Sequence, residues 1–274
     1  MINTELERMN LLDKFLFDEV MEDREAYESA VSILLENEVE LLESTETEKE
    51  LRVSPELRQV CLDVIGMDAK GRIYYTEMQK WNTGNLAKRS RYYQAQLDVS
   101  LLEPESTNFN LLNDTCFILI APFNLSGRGL YRYTFEGRCR ECPDLKLEDG
   151  AVRIFINTKG KNASEFSQEF LDFMEYIGRT TDETAGNSGS ERIRGIHETV
   201  KKIRKSEKAG IRIMQRWEEL VYAKEDGIRK GRAEGEEKIN RLGILLTEAG
   251  RSNDFLASLS DKELQQKLFM EFGL

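Results

Sequence analysis

The stretch VCLDVIGMDAKGRIYYTEMQ, Val60 to Gln79, constrains this chain more than any other segment. Val60 to Met67 and Arg72 to Gln79 are rich in β-branched and aromatic residues, and Asp68-Ala69-Lys70-Gly71 is a turn signal between them. The pattern predicts a β-hairpin. A three-residue loop with Gly71 in the left-handed conformation pairs Asp68 with Arg72. That register sets Asp63 opposite Glu77 on one sheet face, with Cβ atoms roughly 5 Å apart. The two-residue period of a strand adds Gln79 to the same face. A two-residue loop instead sets Asp63 against Thr76 and sends the two acids to opposite faces.

Carboxylates facing each other across apolar strands repel unless a cation or a proton sits between them. A hard divalent metal takes such oxygen ligands, and Mg²⁺ uses one or two carboxylates while keeping waters. A metal held so can activate water and shield a phosphate under attack. The same spacing also suits two acids on a solvated face, each beside a Lys or Arg.

Further elements line up in order along the chain. They are Leu62-Asp63-Val64, the turn from Asp68 to Arg72, Glu77-Met78-Gln79, and Lys88-Arg89-Ser90-Arg91-Tyr92-Tyr93 on a predicted helix. With the amino-terminal NLLDKFLFDEVM, Asn10 to Met21, this series resembles the PD-(D/E)XK nuclease superfamily. The nearest branch is that of the recombination-promoting nucleases, also labelled PD-(D/E)XK nuclease family transposases. The resemblance covers about residues 8 to 235.

The resemblance implies a restriction-endonuclease-like α/β fold and a Mg²⁺-dependent DNA endonuclease linked to recombination, gene transfer or defence against mobile elements. Asp63 and Glu77 would bind the metal, and Gln79 would complete the catalytic set. Lys88, Arg89 and Tyr93 would hold the DNA backbone. Two positions depart from the common pattern. Gln79 stands where the superfamily has Lys, as this branch often does, and an amide orients by hydrogen bonds without supplying charge. Cys61 stands where the branch tends to have Arg. The alternative is a catalytically weak or inactive nuclease-fold protein acting as a DNA-binding or protein-interaction module.

With 274 residues there is room for one sizeable domain and an extension. No apolar run reaches the length of a membrane span, and the acidic start is unlike a signal peptide, so a cytoplasmic protein without a membrane partner is expected. Cys139 and Cys142 form a lone CxxC without a second ligand pair, which reads as a plain loop. The net charge of −11 is uneven. Residues 1–56 hold 17 acids and 5 bases, whereas 191–232 hold 13 bases and 7 acids. The second segment can attract DNA.

The periodicity predicts helices over 10–36, 85–102 and 163–177, the last capped by Asn162 or Ser164, with a loop or ragged helix over 36–50. It predicts strands at 116–123, 130–138, 145–149 and 151–157. The sequence TTDETAGNSGS, 180–190, reads as a linker between a domain at 1–179 and a helical extension at 191–274. Gly227, Gly231 and Gly235 fall on one face of a helix. They suit a flexible arm or close helix packing in a homodimer through the extension.

Overall fold

A computed structural model describes residues 2–42, 46–51, 60–102 and 105–274, with side chains described except at 2–4, 46–51 and 60–63. The chain divides into two compact units, up to Gly210 and from Ile211 onward.

The first unit is built on a mixed six-stranded sheet. Its strands are β1 (Glu46–Leu51), β2 (Val60–Met67), β3 (Ile73–Met78), β4 (Thr115–Ala121), β5 (Arg132–Phe135) and β6 (Ala151–Asn157), in the order β1-β2-β3-β4-β6-β5. β1, β2 and β3 are antiparallel neighbours, β3, β4 and β6 run parallel, and β5 pairs antiparallel with β6. The apolar run at 115–121 is central and wholly buried, as a strand covered on both faces must be.

Strand alternation sorts the core into two layers. Val64, Tyr74, Met78, Ile118, Ile120, Ile154 and Ile156 face helices α2 (Lys14–Met21), α3 (Arg24–Leu35), α5 (Gln168–Gly178) and α7 (Glu191–Arg204). Ile65, Ile73, Tyr75, Phe117, Leu119 and Phe155 face α4 (Leu86–Leu101), which reaches them through Leu86, Tyr93, Leu97 and Leu101. These four recur at helical spacing and explain why this helix lies flat on the sheet.

The hairpin carries the three-residue loop. Gly71 has φ +79°, a left-handed conformation that suits glycine. Asp68 N–H donates to the Arg72 carbonyl at 3.0 Å, and Gly71 N–H to the Asp68 carbonyl at 2.9 Å. The Asp68 carboxylate accepts from Lys70 N, Arg72 N and the Tyr74 hydroxyl, which ties the turn closed. The ladder runs from Met67 opposite Ile73 to Val64 opposite Thr76. Continued by one step, this register would bring Asp63 opposite Glu77.

Several elements differ from the sequence expectation. The acid-rich segment ends in a strand, Glu46–Leu51, not a helix. A short 3₁₀ turn occupies 163–165, and α5 starts at Gln168, because the Ser167 hydroxyl accepts from Phe170 N. Residues 145–149 contribute only an isolated bridge, Lys146 to Arg138. Pro104, the expected stop for α4, lies outside the described residues.

The domain boundary also moves. Within the expected linker, Asp182–Asn187 form helix α6, capped by the Thr181 hydroxyl on Thr184 N. The Nδ1 of buried His197 lies 2.9 Å from the Tyr176 hydroxyl and its Nε2 3.0 Å from Asp182. Ile193, Ile196 and Val200 are fully buried in the same core as α2 and α3. The amphipathic pattern of α7 therefore serves the sheet domain, and the boundary falls after Gly210 instead of at 180–190.

The second unit holds most of the long helix α8 (Glu207–Glu248), then α9 (Ser252–Ser258) and α10 (Lys262–Glu271). Its small core is Leu242, Leu246 and Leu268, joined by Phe255, Leu264 and Phe269. A Cβ at Gly227, Gly231 or Gly235 would meet nothing within 4 Å. No helix among the described residues is long and apolar enough to cross a membrane.

Candidate functional site

β3 runs into the site. Ile73 and Tyr75 bury themselves against α4, and Glu77, next on that face, is only 4% exposed. Gln79 follows β3, and its backbone N–H extends the parallel ladder to the Ile120 carbonyl at 2.9 Å. The amino-terminal turn of α4 then returns over the same edge and brings Arg89 with it.

Arg89 joins the two polar side chains of β3. Its Nη2 donates to Glu77 Oε2 at 2.9 Å and also to Gln79 Oε1. Gln79 Nε2 in turn donates to the Trp81 carbonyl at 2.7 Å, so the amide is held at both ends. The guanidinium also sits over the ring of Tyr93, 5.7 Å from its centroid. Burial pushes the Tyr75 phenol above its usual range, and the nearby Glu77 carboxylate adds to the shift.

The residues singled out in the sequence fall into three groups. Glu77, Gln79, Arg89 and Tyr93 come together. Lys88, one residue before Arg89, is exposed on α4. Asp63 belongs to β2, but its side chain, like that of Cys61, lies outside the described residues. Among the described residues no cluster of three or more His, Cys, Asp or Glu side chains is assembled for a metal. The donor set is nonetheless of the type a hard cation takes, with the Glu77 carboxylate and the Gln79 amide oxygen side by side.

Two features beside the site escaped the sequence reading. Lys80 extends away from it to Asp13 at 3.0 Å, tying the end of β3 to the segment before α2. Trp81 is 73% exposed, a large aromatic left in solvent next to a buried acid. An open cavity of about 660 Å³ lies at the other end of the sheet, lined by Asp68, Lys70, Arg72, Tyr74 and Asp114. It shares no residue with the Glu77 site. Its Arg72–Asp114 pair, at 3.0 Å, is half exposed.

Comparison of the chain with protein-family models, with curated proteins and with solved structures returns no match.

Proposed function

We propose that the protein is a cytoplasmic, metal-dependent DNA endonuclease of restriction-endonuclease-like fold that hydrolyses phosphodiester bonds at Asp63, Glu77 and Gln79. The observation that supports this reading is the three-residue loop and the register from Met67–Ile73 to Val64–Thr76, which, continued by one step, would bring Asp63 opposite Glu77, with Gln79 just past the end of β3. The motif order along the chain adds to it, and a mixed sheet with helices on both faces is compatible with that fold. Recombination, gene transfer and defence against mobile elements are the settings the sequence resemblance brings.

Asp63 and Glu77 would hold a divalent cation such as Mg²⁺, which when bound supplies charge that polarises water and phosphate. The remaining work belongs to side chains. Gln79 spends one amide hydrogen on Trp81 and keeps the second for a water or phosphate oxygen. Arg89 has a planar fork suited to phosphate, and moving from Glu77 to a phosphate oxygen exchanges one anion for another. Exposed Lys88 adds a point charge beside it.

A second reading is favoured by one observation: Arg89 already neutralises Glu77. A protein that keeps this pair closed would bind DNA without cutting it. A plasmid-nicking assay separates the two. Wild type is expected to nick with Mg²⁺ and to stop on chelation, and Asp63→Ala and Glu77→Gln to lose about 100-fold or more. Nicking that survives in Glu77→Gln, or ignores the chelator, refutes the site. Binding without any nicking supports the second reading.

A further inference from the structure

The parallel strands β3, β4 and β6 all end at one edge of the sheet, so residues 79–85, 122–131 and 158–167 gather there. Open α/β sheets bind ligands outside the carboxyl ends of such strands. In a chain of net charge −11 this edge is basic. Residues 79–91, 122–131 and 158–167 hold Lys80, Lys88, Arg89, Arg91, Arg128, Lys159 and Lys161 against Glu165, while Glu77, Asp13 and Glu36 reach the same edge through their bonds to Arg89, Lys80 and Ser167 N–H. The opposite edge, residues 37–42, 68–72, 109–114 and 136–150, holds nine acids and five bases.

Three of these cations share one platform. Lys161 N–H donates to the Gly129 carbonyl at 2.8 Å, and Asn157 N–H to the Tyr131 carbonyl at 2.8 Å. Tyr131 N–H donates to the Asn162 side chain at 2.9 Å, and Lys159 N–H to Asn157 Oδ1 at 3.0 Å. Gly160 closes the seam, since a Cβ there would lie 2.5 Å from Tyr131 N. The loops after β4 and β6 are therefore stitched together by main chain. Arg128, Lys159 and Lys161 project from them exposed, and no described carboxylate lies within ion-pair distance of any of the three. Lys80 and Arg89 across the same edge are both paired.

We infer that Arg128, Lys159 and Lys161 form a phosphate-binding platform that holds the backbone of a nucleic acid across the carboxyl edge, on the side of Glu77 away from β2. The inference rests on the nuclease reading for its ligand class, and its evidence is separate from that of the catalytic residues. Strand spacing sets β6 roughly 10 Å from β3. That span is about three nucleotide steps of 3.4 Å, so a backbone on the platform also reaches the Glu77 site. The three cations position the substrate and take no part in bond cleavage.

The test is the salt dependence of binding to a fluorescein-labelled 20-base-pair duplex, read by anisotropy on the full chain in chelator, so that binding is seen apart from cleavage. The triple variant Arg128→Gln/Lys159→Gln/Lys161→Gln is compared with wild type and with Lys70→Gln/Arg140→Gln at the opposite edge. Each lost phosphate contact removes about 0.9 from the slope of log K against log salt, so the triple variant is expected to lose about 2.7. The opposite-edge variant is expected to keep the wild-type slope. All these side chains are exposed, and unchanged circular dichroism checks the fold. An unchanged slope in the triple variant, an equal loss in the opposite-edge variant, or no duplex binding by wild type overturns the platform. Nicking by Glu77→Gln is scored separately. If that variant still nicks while the slope falls in the triple variant, the catalytic assignment fails and the platform stands.

Discussion

Removing Arg89 is expected to destabilise the first unit more than neutralising its partner does. Glu77 has a side chain 5% exposed and that of Arg89 is 25% exposed, with 2.9 Å between them. Deleting one member of a fully buried pair costs about 3–5 kcal/mol, because the buried charge that stays loses its ion-pair partner. Water can reach the quarter-exposed arginine side, which brings Arg89→Ala down to about 2 kcal/mol. Glu77→Gln keeps the shape and an acceptor for Arg89, and leaves Arg89 its bond to Gln79, so about 0.5–1 kcal/mol is expected. The double variant pairs a neutral group with no group and should cost about 1 kcal/mol, well below the sum of the singles. The chain has two tryptophans, so in a Trp217→Phe background Trp81 alone reports on the first unit. With an m-value of roughly 2.5 kcal/mol per molar urea, Arg89→Ala should move the midpoint down by about 0.8 M. Equal losses in the two single variants, or strict additivity in the double, would refute the claim that Arg89 serves Glu77 before it serves any ligand.

Truncation tests the domain boundary: residues 1–210 should unfold cooperatively, while 1–190 should be molten or insoluble. Burial of Ile193, Ile196 and Val200 contributes about 2 kcal/mol each, a large part of a typical 5–15 kcal/mol total. Acid should expose the role of Asp182, whose carboxyl is held down at about 2 by hydrogen bonds from His197 and then Lys201. A lowered folded pKa gives stability that is complete above the usual carboxylate range and is lost as pH falls towards 2. Asp182→Asn should therefore flatten the fall of the urea midpoint between pH 5 and 2, and an unaltered pH profile would contradict the assignment. Gly160→Ala forces a methyl against Tyr131 main chain and should lower stability by about 2 kcal/mol or more, read by thermal unfolding.

The sequence was most legible where local chemistry and strand period agreed. Asp68 and Gly71 mark the turn but leave a two- or a three-residue loop open; the structure has the three-residue one, and that length sets the phase of β2 against β3. The run at 115–121 could be read as a central strand because every residue in it is apolar or small. Three things were not legible. Residues 180–190 have a linker's composition, yet Thr181 and Thr184 cap a helix there, and a buried histidine closes it against α7. Composition cannot reveal that closure, because Tyr176 and His197 lie 21 residues apart. Ser167, and not Asn162 or Ser164, starts α5, a choice made by one hydroxyl reaching Phe170 N. At the site, Lys88-Arg89 read as two equivalent basic residues. The helix turns one into solvent and the other onto Glu77 and Gln79, a difference set by 100° of rotation about α4.

The glycines of α8 bear on how this chain ages in a cell. The helix is 42 residues long, and Gly227, Gly231 and Gly235 fall within nine of them. Each costs about 1 kcal/mol of helix propensity relative to alanine, whereas the exposed pairs Arg229–Asp226, Lys230–Asp226 and Arg232–Glu236 return only tenths. Among the described residues no other side chain comes within 4 Å of where a Cβ on these glycines would lie, so none makes up the difference. Within α8 this stretch is therefore where backbone hydrogen bonds open at least cost, and its amides should exchange with solvent ahead of those on either side. A protease that needs locally unwound chain should cut α8 here. A cut within 225–236 would divide the chain between the sheet domain and the segment that holds Leu242, Leu246 and Leu268.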